Sequence, residues 1–354
     1  MKSYMVKRYS ELEAYVPGEQ PQDMEYVKLN TNESPFPPSP RVTAVIDKGE
    51  INKLKLYSDP EGKELRDTIA DYYGFKRENI LLGNGSDEIL AFAFFAFCAG
   101  EKCVFPDITY GFYSVYSELV GADYKKIPLA EDFSVRADDY MNVGATVIIA
   151  NPNAPTGRAL PLSDIEKIVS SNKENVVLID EAYVDFGGES AVELVRKYKN
   201  LIVARTFSKS RSLAGARLGF AIADEGLISD MNRIKYSLNP YNINRLTLLA
   251  GKESILDEKY FKDSLKTIVE NREYTKEELE KRGFTVLPSF TNFVFAKKDG
   301  FTGEFLYKEL KARGVLVRHF SSERISDFLR ITIGTKAQMD ILLSKVDEII
   351  NIKK

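Results

Sequence analysis

Short apolar runs alternate with longer amphipathic stretches over residues 63–223 of this sequence. The runs predict strands at 79–82, 102–105, 123–127, 145–150, 175–180, 200–205 and 217–223. Strands that are apolar throughout are buried on both faces. We therefore expect an α/β fold whose mostly parallel seven-stranded sheet is covered by helices on both sides. Ligands of such sheets bind beyond the carboxyl ends of the strands.

The composition limits the partners that the chain can have. Its 354 residues carry a formal net charge of -3, which gives no electrostatic basis for binding nucleic acid or an anionic membrane. We find no signal-peptide pattern, and the longest apolar run, 89–99, is too short to cross a membrane. With His319 as the one histidine, and with Cys98 and Cys103 outside metal-ligand spacing, we expect no metal site. The expected protein is cytoplasmic and has small-molecule partners.

The sequence pattern divides the chain into three parts. Residues 1–35 are rich in proline and polar residues and are predicted to form an extended arm that lies against the small domain or a partner subunit. Residues 36–255 hold the seven predicted strands and form a large domain. Residues 256–354 begin with a charged helix at 257–282, interpreted as a solvent-exposed connector, and continue as a smaller α+β domain.

A lysine follows the sixth predicted strand. Lys209 stands beside Ser208, and Arg217 comes shortly after. A lysine here can form a Schiff base with an aldehyde if cationic neighbours destabilise its ammonium form, and we expect Arg205, Arg211 and Arg217 to be those neighbours. Ser208 and Arg217 also suit a phosphate group. A solvated basic loop explains the same residues, so other segments are needed to distinguish the two interpretations.

Two further strand ends carry polar groups. The turn GNGSDE at 83–88 joins a predicted strand to a helix, where free backbone N–H groups and the helix dipole favour a phosphate. A simple helix cap by Ser86 or Asp87 explains the same turn. Asp180 ends an apolar strand, so its carboxylate needs a cationic or hydrogen-bonding partner, unless it is itself a helix cap.

One ligand meets all of these requirements. Pyridoxal phosphate carries an aldehyde, a ring nitrogen that must stay protonated, a phenolic oxygen and a phosphate. These four groups match, in that order, Lys209, Asp180, Tyr183, and the set Ser86, Ser208 and Arg217.

With these residues in place, the chain resembles the fold-type I pyridoxal-phosphate aminotransferases and, among them, the histidinol-phosphate aminotransferase family. The motifs that carry the resemblance are AYVPG (14–18), LNTNESP (29–35), YSDP (57–60), GNGSDE (83–88), NPNAPTG (151–157), DEAY (180–183), 205–220 and LRITIG (329–334). They cover nearly the whole chain.

The resemblance implies a role for each candidate residue. Of the implied catalytic residues, Lys209 forms the Schiff base and carries a proton, Asp180 pairs with the pyridine nitrogen, and Tyr183 bonds the phenolic oxygen. The other implied cofactor contacts are Tyr110, which stacks on the ring, Tyr57 of a second subunit, and the phosphate ligands Gly85, Ser86, Asp87, Ser208 and Arg217. The implied substrate contacts are Arg330, the anchor for the substrate anion, with Arg318, Tyr15 and Asn32.

The sequence departs from the family at one cofactor contact. The family has an asparagine directly before Pro-Thr-Gly, and this asparagine bonds the same phenolic oxygen as the tyrosine. Here Ala154 stands at that position and Asn153 one place earlier. Asn153 is therefore the candidate for the contact.

The resemblance implies a homodimeric enzyme of histidine biosynthesis. It would transfer an amino group between histidinol phosphate, or an aromatic amino acid, and 2-oxoglutarate or glutamate by ping-pong half-reactions. A threonine-phosphate decarboxylase with the same cofactor is an alternative. A nucleotide-dependent dehydrogenase is another, but Glu88 stands where Gly-x-Gly-x-x-Gly needs glycine, and Lys209 has no role in it. A catalytically silent binding protein is disfavoured because Lys209 and Asp180 are both present.

Overall fold

The computed structural model of the chain describes residues 4–10 and 12–352, and its strands form three sheets. The strands are β1 (Val27–Lys28), β2 (Ile80–Gly83), β3 (Lys102–Pro106), β4 (Asp123–Ile127), β5 (Thr146–Ala150), β6 (Val177–Asp180), β7 (Leu201–Thr206), β8 (Gly219–Ala223), β9 (Phe284–Val286), β10 (Phe293–Lys298), β11 (Val315–Leu316), β12 (Arg318–His319) and β13 (Leu329–Thr332). The α-helices are α1 (Pro40–Val45), α2 (Lys48–Asn52), α3 (Lys63–Tyr73), α4 (Ser86–Phe97), α5 (Phe112–Val120), α6 (Leu162–Ser171), α7 (Glu225–Leu238), α8 (Arg245–Leu256), α9 (Glu258–Lys281), α10 (Gly303–Ala312) and α11 (Lys336–Ile352).

The large sheet has seven strands in the order β2-β8-β7-β6-β5-β3-β4. β8 runs antiparallel to both of its neighbours, and the pairs from β7 to β4 are parallel. Successive residues of its central strands point to opposite faces, so that Ile179 belongs to one apolar cluster and Leu178 to the other. Burial on both faces explains why these strands are continuously apolar, and the predicted fold class is confirmed.

The strand order places the ligand crevice. β3 and β4 lie on one side of β5, whereas β6 and β7 extend the sheet on the other. The connections therefore reverse direction between β3 and β5, and a crevice opens there beyond the carboxyl ends of the strands. The loops after β3, β5, β6 and β7 all meet at this edge.

The small sheet is antiparallel, in the order β12-β13-β10-β9. α9, α10 and α11 pack on it around an apolar cluster that includes Ile268, Leu279 and Leu329. The interpretation of the helix at 257–282 as a solvent-exposed connector is wrong, because α9 buries a stripe at helical spacing that runs through Ile268, Thr275 and Leu279. Most of its charged residues lie on the opposite face, whereas Arg272 is buried and donates to the carbonyls of Phe186 and Thr291.

The predicted arm packs against the smaller part of the molecule, which contains the small sheet. β1 pairs in parallel with β11, with Val27 opposite Val315, and Leu29 belongs to the apolar cluster under the small sheet. The proposed boundary between the large and small domains falls between α8 and α9 and stays a prediction.

The structure differs from the sequence pattern in three places. The pattern predicts a helix at 191–198, where the structure has only the short 3-10 helix Val192–Arg196, and it does not predict the strand β12. α7 and α8 lie in a segment without a predicted element. The apolar residues of α8 are spread around the helix, so the segment has little helical periodicity in its sequence. None of the helices described here is both long and apolar enough for a membrane span.

Candidate active site

Two adjoining cavities lie at the carboxyl edge of the large sheet. The inner cavity has a volume of about 330 Å³, and among its lining residues are Ser86, Asp180, Ser208 and Arg217. The outer cavity has a volume of about 540 Å³ and extends to the small sheet, where Arg318 and Arg330 line it. The residues that line both cavities are Thr31, Tyr110, Ala154, Tyr183 and Lys209. Lys209 thus stands at the junction between the two.

Lys209 is held in place by few contacts. It lies in the loop after β7, where its Nζ donates to the Thr31 carbonyl at 3.2 Å and sits 5.8 Å from the centre of the Tyr183 ring. The expectation that Arg205 and Arg211 are its cationic neighbours is wrong. Arg205 pairs with carboxylates behind the loop, and Arg211 donates to the Ser254 carbonyl and covers a phenylalanine ring. The interpretation as a solvated loop fails as well, because Ser208 and Ser210 on either side of Lys209 are buried.

Asp180 ends β6 as a buried carboxylate that is 4% exposed. Tyr113 donates its hydroxyl proton to Oδ2 at 2.8 Å, and the Ala182 N–H donates to Oδ1 at 3.2 Å. Burial nevertheless raises the pKa of Asp180 to about 6. Within the described residues no lysine or arginine forms an ion pair with this carboxylate. The inner cavity therefore offers an uncompensated acceptor for a cationic N–H group.

The turn before α4 forms a cradle at the other end of the inner cavity. α4 begins after Gly85, and no side chain of the described residues caps it, so the structure does not show the simple cap by Ser86 or Asp87. A Cβ on Gly219 would lie 2.4 Å from the Ser86 nitrogen, so only glycine lets the turn rest on β8. The free N–H groups and the helix dipole there favour an anion.

Arg217 completes this cradle. Its guanidinium lies against Gly85, where a Cβ would come within 2.5 Å of Nη2. One carboxylate oxygen of Asp87 accepts a hydrogen bond from Arg217 Nη2 at 2.8 Å. The other accepts from the Tyr110 hydroxyl at 2.8 Å. Asp87 thus fixes Arg217 and Tyr110 on adjacent walls of the inner cavity.

The outer cavity holds two arginines without carboxylate partners among the described residues. Arg330 Nη2 donates to the Asn30 carbonyl at 2.9 Å, and its buried Nε has no hydrogen-bond acceptor in the described chain. Arg318 makes long hydrogen bonds of 3.3 Å to the carbonyls of Val16 and Pro17. Burial lowers the pKa of Arg330, because its cation has lost water without gaining a carboxylate partner among the described residues, so an anion in this cavity would stabilise it.

The arm closes one side of the outer cavity. Tyr15 lines it and stacks on Phe112 with ring centres 4.2 Å apart, and Asn32 lines it from the buried end of the arm. Residue Glu19 accepts hydrogen bonds from Tyr307 and Lys311, which ties the arm to α10. Four predicted substrate contacts, Tyr15, Asn32, Arg318 and Arg330, are therefore brought together.

Two predicted cofactor contacts lie outside both cavities. The Asn153 amide donates to the Ile108 carbonyl and to Thr156, and it accepts from Thr109, so its side chain is fully engaged. Ala154 lines the cavities in its place. The Tyr57 side chain is 82% exposed and stacks on Tyr241 at 4.5 Å, away from the cavities of its own chain.

A buried ion-pair network supports the loop of Lys209 from behind. Arg205 donates to Glu181 at 2.9 Å and to Asp185 at 2.5 Å, and Ser210 donates to the other oxygen of Asp185 at 2.5 Å. Glu181 and Arg205 are both buried. The network links the end of β6, the end of β7 and the residue that follows Lys209.

Removal of Arg205 should show how much this network contributes. Arg205→Met leaves Glu181 buried without its cation, and we expect it to lower the free energy of unfolding by about 3–5 kcal/mol in urea denaturation. Arg136→Met removes an exposed ion pair with Asp139 and should change it by less than about 0.5 kcal/mol. Equal losses in the two variants would contradict the prediction.

The sequence did not reveal every residue of the site. Tyr113 was missed, although it is fully buried and holds Asp180 in place. It lies in the first turn of α5, where it follows the apolar period like a core residue, so no local signal marks it. Thr31 was missed for a related reason, since its backbone carbonyl rather than its side chain contacts Lys209.

Comparison with known proteins agrees with this geometry. The aminotransferase class I and II family matches residues 24–346. The chain belongs to this family. The predicted aminotransferase class is thereby confirmed, together with pyridoxal phosphate, the cofactor that this family uses.

The relatives are similar along their whole lengths. The chain is 51% identical to the histidinol-phosphate aminotransferase of Brachyspira hyodysenteriae over 352 residues, which cover 99% of each chain. It is 48% identical to that of Clostridium acetobutylicum, covering 99% of this chain and 100% of the relative. The predicted resemblance to histidinol-phosphate aminotransferases is confirmed.

A solved structure shows the same fold. The histidinol-phosphate aminotransferase of Sinorhizobium meliloti, solved in complex with pyridoxal-5'-phosphate, has a TM-score of 0.86 at 25% sequence identity. The match covers 93% of this chain and 92% of the other. It confirms the predicted fold class, with a large, mostly parallel sheet and a smaller domain.

Proposed function

We propose that the chain is a cytoplasmic, homodimeric, pyridoxal-phosphate-dependent aminotransferase that acts on histidinol phosphate. The observation that carries this proposal is the position of Lys209 between two cavities of different character. In the part of the chain that the structure describes, the inner cavity has a carboxylate without a cationic partner and an anion cradle, and the outer cavity has two arginines without carboxylate partners. A cofactor and an anionic substrate would thus meet at one amine.

The residues of the inner cavity fit the proposed cofactor. Asp180 is buried and has no cationic partner among the residues that the structure describes, which matches a ring nitrogen that must remain protonated. The uncapped start of α4, Ser208 and Arg217 match a phosphate. When bound, pyridoxal phosphate supplies an electron sink for the negative charge that develops at the substrate Cα.

The protein groups around this point have distinct tasks. Lys209 Nζ would take a proton from the substrate Cα and pass it to C4′ of the cofactor, which requires its unprotonated amine. Asp180 keeps the proton on the ring nitrogen, and its burial strengthens that interaction. Arg217 and Ser208 hold the phosphate, and Arg330 and Arg318 bind the anionic end of the substrate.

Substrate selectivity gives the most direct test. The purified protein with pyridoxal phosphate should form glutamate from 2-oxoglutarate and histidinol phosphate. Histidinol, the same molecule without its phosphate, should have a kcat/KM lower by roughly 100-fold, because it cannot pair with the arginines of the outer cavity. Phenylalanine and tyrosine serve as further donors. Release of carbon dioxide from threonine phosphate without amino transfer would overturn the proposal in favour of a decarboxylase.

Replacement of Arg330 should weaken substrate binding and leave cofactor binding unchanged. Arg330→Lys keeps the charge but loses the two-pronged contact, so we expect KM for histidinol phosphate to rise roughly 10- to 100-fold. The dissociation constant of pyridoxal phosphate should not change, because Arg330 lines only the outer cavity. Arg313→Lys is the matched control, since Arg313 pairs with Glu309 on α10. Weaker cofactor binding in Arg330→Lys, with an unchanged KM, would contradict this assignment.

The surface around Tyr57 supports the proposed homodimer. Leu54, Leu56 and Tyr241 are exposed along with Tyr57. A second subunit that covers this patch would remove apolar area from water and give Tyr57 a partner cavity.

A further inference from the structure

Asn32 lies between the small sheet and the inner cavity, and the chain fixes it from several sides. Its side chain is 1% exposed, and its φ of 57° is in the left-handed region. Its backbone N–H donates to Thr332 Oγ1 on β13 at 2.9 Å, and Asn292 Nδ2 donates to its carbonyl oxygen at 2.9 Å. The small sheet thus holds the Asn32 backbone in a conformation that asparagine tolerates better than most residues.

The hydrogen bonds also determine which way the Asn32 amide points. Thr332 Oγ1 already accepts the Asn32 backbone N–H, so its own proton is free and goes to Asn32 Oδ1 at 3.0 Å. This contact leaves the NH₂ group of the amide facing Tyr183. Asn32 Nδ2 donates to the Tyr183 hydroxyl oxygen at 2.9 Å.

This contact sets the role of the Tyr183 hydroxyl. Since its oxygen accepts from Asn32, its proton points elsewhere, and no acceptor within residues 4–10 and 12–352 takes it. The ring is held edge-on against Phe293 of β10, with centres 5.2 Å apart. Tyr183 lines both cavities at their junction with Lys209, so its hydroxyl proton is available to a group that extends from the inner cavity to Lys209.

Tyr183 is also the remaining neutral donor for the cofactor's phenolic oxygen. Of the other two positions considered for that contact, Ala154 has no polar side-chain group, and the Asn153 amide is engaged with Ile108 and Thr156. The direction of the Tyr183 hydroxyl therefore matters more than it would beside a second donor.

We propose that Asn32, supported by Thr332, is a positioning residue that orients the Tyr183 hydroxyl to donate into the inner cavity. This inference rests on the proposed function and gives Asn32 a task other than substrate binding. A hydrogen bond donated to the phenolic oxygen stabilises its negative charge. In the cofactor-bound enzyme, that oxygen shares a proton with the Lys209 nitrogen. The stabilised oxygen binds this proton less tightly, so the pKa of the shared proton falls.

The test measures the pH midpoint of the cofactor absorbance change in the loaded enzyme. Asn32→Ala should raise the midpoint by roughly 0.5 to 1 pH unit, and Tyr183→Phe by at least as much. Adding Asn32→Ala to Tyr183→Phe should cause no further rise, because the two residues act through one hydrogen bond. Thr332→Val should shift the midpoint in the same direction, and Thr332→Ser should restore it.

The variants leave the other groups around Tyr183 unchanged. The charged or titratable residues that interact with it are Lys209, Arg330, Tyr15, Tyr110 and Tyr113. Thermal unfolding of each variant separates loss of structure from loss of orientation, and Thr332→Val replaces Asn32→Ala if the latter does not fold.

Two results would overturn the inference. One is a raised KM in Asn32→Ala with an unchanged midpoint, which would make Asn32 a substrate contact. The other is an additional, equal shift when Asn32→Ala is combined with Tyr183→Phe. A wild-type protein that binds no pyridoxal phosphate would instead overturn the proposed function, and this inference with it.

Discussion

Replacement of Lys209 by alanine is expected to lower the turnover of histidinol phosphate by roughly 10⁴-fold or more, because the variant loses both its nucleophile and its proton carrier. The fold should survive, since within residues 4–10 and 12–352 the Lys209 Nζ makes one hydrogen bond, to the Thr31 carbonyl. Steady-state kinetics measure the loss. Mass spectrometry after borohydride treatment should find no cofactor mass on the variant.

Two controls make the result specific. Lys197→Ala removes an exposed lysine that pairs with Glu166, and it should leave kcat unchanged. Added methylamine should restore part of the activity of Lys209→Ala, because a small amine can enter the space left by the side chain. Near-normal turnover in Lys209→Ala, or covalent cofactor after reduction, would sink the proposed function.

Asp180→Asn is expected to affect activity and stability in opposite directions. Loss of the carboxylate removes the partner of the ring nitrogen, so kcat should fall by roughly 10²- to 10⁴-fold. The cofactor-free variant should be more stable than cofactor-free wild type at pH 7.5, because the amide does not have to be buried as a charge.

The direction of this stability change follows from the pKa of Asp180, which burial raises to about 6 from an ordinary value of 3.8. The folded apoprotein then binds this proton more tightly than the unfolded chain does. Stability is therefore lost as the pH rises from about 4 to about 6, by on the order of 3 kcal/mol, and it stays lower above that range. Asp180→Asn should lack this loss, and so should wild type with bound cofactor.

Thermal unfolding of the apoproteins at pH 4 and pH 7.5 measures the effect. The gap between wild type and Asp180→Asn should open only at the higher pH. Asp139→Asn, a surface change beside Arg136, should show no such gap. A wild-type apoprotein that is more stable than Asp180→Asn at pH 7.5 would contradict the assignment.

The large sheet was predictable because its information is local. Each central strand is a short apolar run, and burial on both faces gives it a continuous signal without alternation. The same holds for Lys209, Asp180 and the turn at Gly85, because a polar residue that directly follows such a run must lie at the edge of the sheet. The motifs that contain these residues were also sufficient to predict the family.

Contacts that depend on the tertiary structure were not predictable in this way. Arg205 is close to Lys209 in sequence, yet its partners are Glu181 and Asp185 on a neighbouring loop. Asn153 lies next to the expected position, and a shift of one residue turned its amide away from the cavities. α9 was misjudged because charged residues dominate its composition, whereas its buried stripe involves fewer positions.

The pairing of β1 with β11 has a consequence for how the protein is made. Asn32 and Thr332 are separated by 300 residues, and Leu29 packs in the cluster under the small sheet. A ribosome that has just made Asn32 must add the whole large sheet before Thr332 exists. The segment around Leu29 therefore stays without its partners through most of synthesis, and the outer cavity can form only after Arg330 has been made.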